Sequence, residues 1–299
     1  MQNAHLSETG KQRSYMNRQI KIAIGSTASK PGEVAANLRQ ITGFAEQAGT
    51  DGAALLLTPE MSASGYGSYP EVLATAEHAG KGLIYRELAQ LSAKTEVVIC
   101  AGFVEEEKQK RYISHYVVYP NGDFLVQRKN KVTGTERPLD SAVHSVNDRP
   151  IKPEFTFFTV GDVKCAITIC ADNNADNLAI LAKNNVELLL VPCGAGGERK
   201  DRVNNCELRT SSGREKYLKV LETVFFPGPC IADCIKYNMA RAAVNLCGYD
   251  GQKHYHVGHG MIITSAGEVP GFFHGLPNLD RQRPMYASAT VELEQSHPK

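Results

Sequence analysis

Twice along this chain an alternating apolar run gives way to a helix-period stretch and then to a short, almost wholly apolar run, with hairpin signals in between. The first cycle opens with QIKIAIGST (Gln19 to Thr27), whose alternation reads as a strand. In GEVAANLRQITGFAEQAG, Val34, Leu38, Ile41 and Phe44 recur at helical spacing, which predicts an amphipathic helix closed by Gly49. AALLLTPE (Ala53 to Glu60) has the continuous apolar character of a strand buried on both faces. A helix is expected from about Leu83 to Lys94, then a strand over Val97 to Phe103. Asn121-Gly122 between two alternating runs is a strong hairpin signal.

The second cycle begins at TFFTVGDVKCAITIC, turning near Gly161-Asp162, and continues through helix-like NADNLAILAKNN into the strand Val186 to Cys193. Crossovers of the strand-helix-strand kind, mixed with antiparallel hairpins, call for two layers of sheet covered by helices. From Gly194 to Pro229 a glycine-rich start, a helix-like charged middle (Arg214 to Val224) and a Pro-Gly-Pro stop read as an insertion or lid, because structureless connections of that length are uncommon. A helix running into a strand follows, then GHGMIITSAGEVPG with a turn at Ala266-Gly267, then the strand Met285 to Leu293. No linker interrupts this pattern, so residues 19–299 read as a single domain behind an extended or disordered polar leader, residues 1–18.

The composition, 42% hydrophobic and 22% charged, supplies a sizeable core. Thirty-three basic against 32 acidic residues leave a net charge of +1, too little field to attract nucleic acid or an anionic membrane, so a small-molecule substrate is the better expectation. The N-terminal stretch lacks the apolar segment of a signal peptide, and no window reaches the roughly 20 apolar residues of a membrane span. Eight cysteines without a CxxC pair, several within apolar runs, fit reduced thiols in a cytoplasmic protein rather than disulfides or zinc.

The chemistry gathers where apolar runs stop. VKCAITIC ends on Cys170 with Asp172 two residues on; AALLLTP ends on Glu60; FLVQRK ends on Lys129. In open α/β folds such strand ends border the ligand site, and a carboxylate directly after a buried strand needs a partner or a task. A thiol, an amine and a carboxylate could serve as nucleophile, oxyanion donor and proton carrier. Each also has a plain reading, a core thiol for Cys170 and a turn residue for Glu60, and Lys131 competes with Lys129 for the amine.

LLLTPEMSASGY, QRKNKV, ITICAD, GHGMIITSAGEV and ASATVEL, in that order, resemble the motifs of the nitrilase superfamily, the carbon-nitrogen hydrolases. The resemblance spans about residues 20 to 293 and implies a four-layer α-β-β-α sandwich and a Glu60-Lys129-Cys170 triad. It further implies that Cys170 attacks a carbonyl carbon and forms a thioester, with Glu60 moving the proton and the Lys129 ammonium and Ala171 N–H holding the oxyanion. Glu136, seven residues after Lys129, resembles the family's second glutamate; Tyr66 and Asp172 are expected beside the substrate. No cofactor and no metal are expected, and the family packs as at least a homodimer.

The chain departs from the family's arginine-bearing amidases in CADNNADN, where Ala171 replaces an aromatic residue and the arginine is missing. It also lacks the Trp that follows the cysteine in true nitrilases, having no Trp at all. A linear amide or N-carbamoyl group is therefore the expected substrate. Nitrile hydrolysis or acyl transfer at the same triad, and a thiol-sensing protein without turnover, stand as alternatives. Arg199, Arg202, Arg209 and Arg214 offer a clamp for a substrate carboxylate, against a solvated helix or an oligomer contact. His254, His256 and His259 read as a polar approach to a strand rather than a metal site.

Overall fold

The computed structural model of the protein describes residues 18–28, 30–141, 153–195, 210–220, 228–252, 255–274 and 283–293. The first half contains β1 (Arg18–Ser26), α1 (Val34–Asp51), β2 (Leu55–Leu57), α2 (Pro70–Leu73), α3 (Leu83–Thr95), β3 (Val98–Glu107), β4 (Lys110–Val118) and β5 (Phe124–Arg128). Next come β6 (Phe157–Val160), β7 (Val163–Ile167), α4 (Ala175–Lys183), β8 (Leu188–Cys193), α5 (Ser211–Val220) and α6 (Gly228–Tyr237). The remainder is strand: β9 (Ala240–Asn245), β10 (Cys247–Tyr249), β11 (Tyr255–Val257), β12 (His259–Ile263), β13 (Gly271–His274) and β14 (Met285–Leu293).

Two six-stranded sheets form, ordered β14-β1-β2-β3-β4-β5 and β13-β12-β9-β8-β7-β6, with β10 and β11 paired separately. Each has a parallel centre, β1-β2-β3 in one and β7-β8-β9 in the other, flanked by antiparallel strands. The parallel centres are the two crossovers legible in the sequence, and the hairpins at Gly122 and Gly161 close with both glycines at positive φ.

Strand alternation sorts the side chains into three apolar layers. Ile20, Ile22 and Ile24 of β1, Leu55 and Leu57 of β2, and Leu188 and Leu190 of β8 meet between the sheets. The intervening Ala23 and Leu56 face the opposite way, into a cluster with Leu38, Ile41 and Phe44 of α1 and Leu88 of α3. Leu189 and Val191 likewise turn toward Leu178 and Leu181 of α4 and Cys234 of α6. Helices outside, sheets inside: this is the α-β-β-α sandwich. Its middle layer is largely aliphatic, and truncating one of those leucines to alanine costs about 2–5 kcal/mol in comparable cores.

Helix α1 outlasts the sequence expectation. Gly49 lies inside it, and a Cβ there would stand 2.9 Å from the Thr95 carbonyl at the end of α3, so this glycine allows a close approach. The helix ends at Gly52, which takes φ 71° and returns its N–H to Ala48 and Gly49. Part of the 194–229 segment is helical, in α5 and the start of α6. The leader through residue 17, Arg199, Arg202, Arg209 and His254 lie outside the described residues, as does the Arg214 side chain. Among the described residues no helix is long and apolar enough to cross a membrane.

Candidate active site

Glu60 follows β2 by a turn stitched to β3. Thr58 N–H donates to the Cys100 carbonyl at 2.9 Å, Gly102 N–H to Ser62 Oγ at 3.1 Å, and Ala63 N–H to the Gly102 carbonyl at 2.9 Å. Gly102 is what lets the turn lie so close, since a Cβ at that position would meet Met61 N at 2.2 Å. Lys129 follows β5, held by its N–H on the Ile113 carbonyl at 2.8 Å. The preceding Arg128 points to the other face and forks onto Glu105 at 2.6 and 2.8 Å, so alternation sends Lys129 inward. Gln127 bonds backbone at Glu154 (3.0 Å) and Thr156 (2.7 Å) and fastens this strand to the segment entering β6.

Lys129 is fully buried, and its ammonium bonds Glu60 Oε1 at 2.6 Å and Glu136 Oε1 at 2.5 Å. Lys131 is exposed, so it is Lys129 that reaches the cluster. Glu136 sits in a short 3₁₀ turn, Gly134–Glu136, whose capping box sets its other oxygen on the Thr133 N–H at 2.7 Å. Its Oε1 also accepts the Tyr66 hydroxyl at 2.9 Å. A lysine ammonium carries three N–H donors, and two are taken by carboxylates. Glu60 Oε2 is buried and makes no hydrogen bond among the described residues, which leaves one acceptor facing the site.

Cys170 opens a 3₁₀ turn, Cys170–Asp172, directly beyond β7, with φ +50°. A non-glycine residue in the left-handed region is strained by about 1–3 kcal/mol, and such residues concentrate at functional sites. The turn is locked from behind by Asp172, whose carboxylate accepts Asn130 N–H at 2.8 Å and Lys131 N–H at 2.9 Å. Asp172 thereby couples the cysteine turn to the lysine loop, and burial lifts its carboxyl to about 6 against those amides. Ala171 lies between Cys170 and Asp172 in the same turn.

No spacing or motif singles out Cys193 and Gly194, which complete the site. The Cys193 thiol donates to the Val191 carbonyl at 3.7 Å, and it and the Gly194 N–H lie close enough to Cys170 to favour its thiolate. A Cβ on Gly194 would lie 2.2 Å from the Tyr66 ring and 2.9 Å from Glu60 Oε2, so only glycine admits both neighbours. Asn245 Nδ2 fixes the next carbonyl, Ala195, at 2.8 Å. His256 Nδ1 lies 3.4 Å from the same carbonyl, and its ring meets Tyr66 edge-on at 5.2 Å. The one available signal was the VPCG at the end of a second apolar run. His256 thus borders the site, while His259 lies on β12; among the described residues no group of three His, Cys, Asp or Glu could hold a metal ion.

The electrostatics of the cluster are coupled. Burial raises Glu60 well above the carboxylate range, opposed by the Lys129 charge and reinforced by Cys170 and Glu136. Burial alone would depress Lys129, but Glu60, Cys170 and Glu136 outweigh it and hold the ammonium above its ordinary value. The nearby Cys193 thiol lowers Cys170 to about 6; burial opposes this, and Lys129 and the Gly194 N–H assist. A lowered thiol facing a raised carboxylate makes transfer of a proton from sulfur to Glu60 inexpensive.

Because the thiolate is the reactive form, alkylation of Cys170 by iodoacetamide should rise with pH through a midpoint near 6. An unperturbed thiol would titrate near pH 8.5 instead. Mass-resolved alkylation rates at Cys170 across pH check this; a midpoint above 8 would contradict it.

The four-layer α-β-β-α sandwich is the fold of an amidase from the nitrilase superfamily. The chain belongs to the carbon-nitrogen hydrolase family, whose model matches residues 19–209. It is 28% identical over 287 residues to a Schizosaccharomyces pombe protein named "Probable nitrilase C965.09", covering 94% of this chain and 91% of the relative. It also resembles an amidase from Nesterenkonia sp., with TM-score 0.69, 18% identity, and 91% and 90% of the two chains covered. A variant of the amidase from Nesterenkonia sp. AN1, with acrylamide added at its active-site cysteine, matches with TM-score 0.67, 18% identity, and 92% and 93% covered.

Proposed function

We propose that this hydrolase cleaves a linear amide or N-carbamoyl bond of a small molecule through a thioester on Cys170. The observation that carries the reading is the buried Lys129 ammonium bridging Glu60 and Glu136, with Glu60 Oε2 left unbonded, beside the Cys170 thiol. Cys170 Sγ attacks the carbonyl carbon as its proton passes to Glu60. The oxyanion is met by Lys129 and the Ala171 N–H. Collapse breaks the C–N bond, and Glu60 returns its proton to the departing nitrogen, releasing ammonia or an amine. Water then attacks the thioester, giving a proton to Glu60, and the second collapse expels the Cys170 sulfur, which takes that proton back from Glu60 as the acid is freed.

Glu136 and Tyr66 hold Lys129 in position in this scheme, with the Tyr66 ring forming part of the substrate wall. Asp172 keeps the lysine loop and the cysteine turn in register, at the edge of the substrate space. Nitrile hydrolysis is the second reading, favoured by the name of the Schizosaccharomyces pombe relative. We assign residues 19–299 to one domain, with 194–229 as an insertion or lid, in a cytoplasmic enzyme that forms at least a homodimer. Light scattering giving a monomer would remove the dimer.

The test is release of ammonia from a panel of small amides, N-carbamoyl compounds and nitriles. Release from amides or carbamoyl compounds alone supports the first reading, and release from nitriles alone the second. Glu60→Gln keeps an oxygen for Lys129 but removes the proton carrier, so the rate on the active class should fall by about 10²- to 10⁴-fold. An unchanged rate would take Glu60 out of the proton path.

A further inference from the structure

Cys170 is not alone at its sheet edge. Strands β7 and β8 run parallel in the register Cys165↔Leu188, Ala166↔Leu189 and Ile167↔Leu190, extended by the Thr168 N–H on the Leu190 carbonyl at 3.0 Å. Beyond that pairing the chain turns, and the 3₁₀ turn that opens on Cys170 packs against β8, the strand that ends on Cys193. A disulfide needs Cα atoms about 4.4–6.8 Å apart, a separation within reach of a turn packed on its neighbouring strand. Each thiol lies near enough to shift the ionisation of the other. Both cysteines are partly exposed, whereas Cys100, Cys165, Cys234 and Cys247 are buried.

We propose that Cys193 is a resolving cysteine: a hydroperoxide oxidises Cys170, and Cys193 then closes a reversible Cys170–Cys193 disulfide across the site. In the first step the Cys170 thiolate attacks one peroxide oxygen, the O–O bond breaks, and the other oxygen leaves as water or an alcohol after protonation. The sulfur becomes a sulfenic acid as the peroxide is reduced. The Cys193 sulfur next attacks Cys170, the S–O bond breaks, and the hydroxyl leaves as water with the Cys193 proton. A dithiol reverses the bond: its thiolate attacks Cys193, Cys170 departs as thiolate, and the second thiol of the reductant displaces Cys193 and ends as a disulfide.

The local electrostatics give this sequence its direction. Cys193 is raised well above its ordinary value, first by the nearby Cys170 and then by burial, while Cys170 is lowered. Cys170 is thus the sulfur a peroxide finds ionised, and the better leaving group when the disulfide is reduced. The closed state would cover the nucleophile, silencing the enzyme without exposing Cys170 to irreversible sulfinic acid.

The proposal requires adjacent sulfurs and not turnover, so its test is independent of the hydrolase reading. The full-length reduced protein is treated with stoichiometric hydrogen peroxide, and its thiols are counted and its unreduced peptides mapped. The expected result is the loss of two thiols per chain and a cross-linked peptide joining Cys170, separated from Cys165 by fragmentation, to Cys193, both restored by dithiothreitol. In Cys193→Ser and Cys193→Ala, dimedone should label Cys170, and excess peroxide should drive it to a form that dithiothreitol does not recover. The wild-type map decides even if both variants fail to fold. Dimedone labelling of wild-type Cys170 without a cross-link, or a cross-link through Cys230 instead, would overturn the proposal.

Discussion

Cys170→Ala is expected to lower the rate on any substrate the wild type turns over by about 10⁴-fold or more, the scale on which nucleophile removal silences hydrolases that form acyl-enzymes. The substitution removes one sulfur at the edge of the inter-sheet core and leaves the fully buried aliphatic residues in place. It leaves the Lys129–Glu60–Glu136 cluster intact, so substrate affinity and thermal stability should change far less than the rate. Alanine also tolerates φ +50° no worse than cysteine does, so the turn has no new reason to rearrange. Steady-state rates beside calorimetric binding of the same substrate check the split. A rate within tenfold of wild type would place the nucleophile elsewhere.

Lys129→Met should damage both chemistry and fold. The ammonium is the counter-ion of two fully buried carboxylates, Glu60 at 2.6 Å and Glu136 at 2.5 Å. Removing one partner of a buried ion pair costs about 3–5 kcal/mol, because the remaining charge is dry and unpaired. Here it leaves two carboxylates. The site should respond by protonating at least one of them, which also disables Glu60 as a base. Loss of the oxyanion donor adds about 10²- to 10³-fold in rate. The urea midpoint should therefore fall along with activity, whereas the exposed Lys131→Met should move neither. A stable Lys129→Met protein with near-normal rates would remove the lysine from the mechanism.

The framework was legible because burial writes a period into the chain. Ile20, Ile22 and Ile24 alternate with residues facing helices, and Leu55 to Leu57 are apolar at every position because β2 is covered on both sides. Glu60, Lys129 and Cys170 were legible for the complementary reason, as costly polar groups where such runs stop. Glu136 needed the family resemblance, since a glutamate in a polar loop carries no mark of burial. The part played by Cys193 was not readable. It depends on the parallel pairing of β7 with β8, and unlike ITICAD the VPCG that ends β8 carries no motif resemblance to mark its cysteine. Asp172 was expected beside the substrate; that its two oxygens also hold the backbone of residues 130 and 131 is a role set by loop geometry that no spacing records. Gly49 misled for a related reason, because its smallness serves the contact with Thr95 and not the helix end. The arginine clamp falls outside the described residues.

The central claim, a covalent intermediate on Cys170, is tested most directly by quenching the enzyme in acid during turnover of an active amide or N-carbamoyl compound and mapping the peptides by mass. The account predicts an acyl or carbamoyl group on Cys170, more abundant in Glu60→Gln if deacylation slows more than acylation, and absent from Cys170→Ala. Product formation with no adduct at Cys170, or with an adduct at another residue, would contradict it.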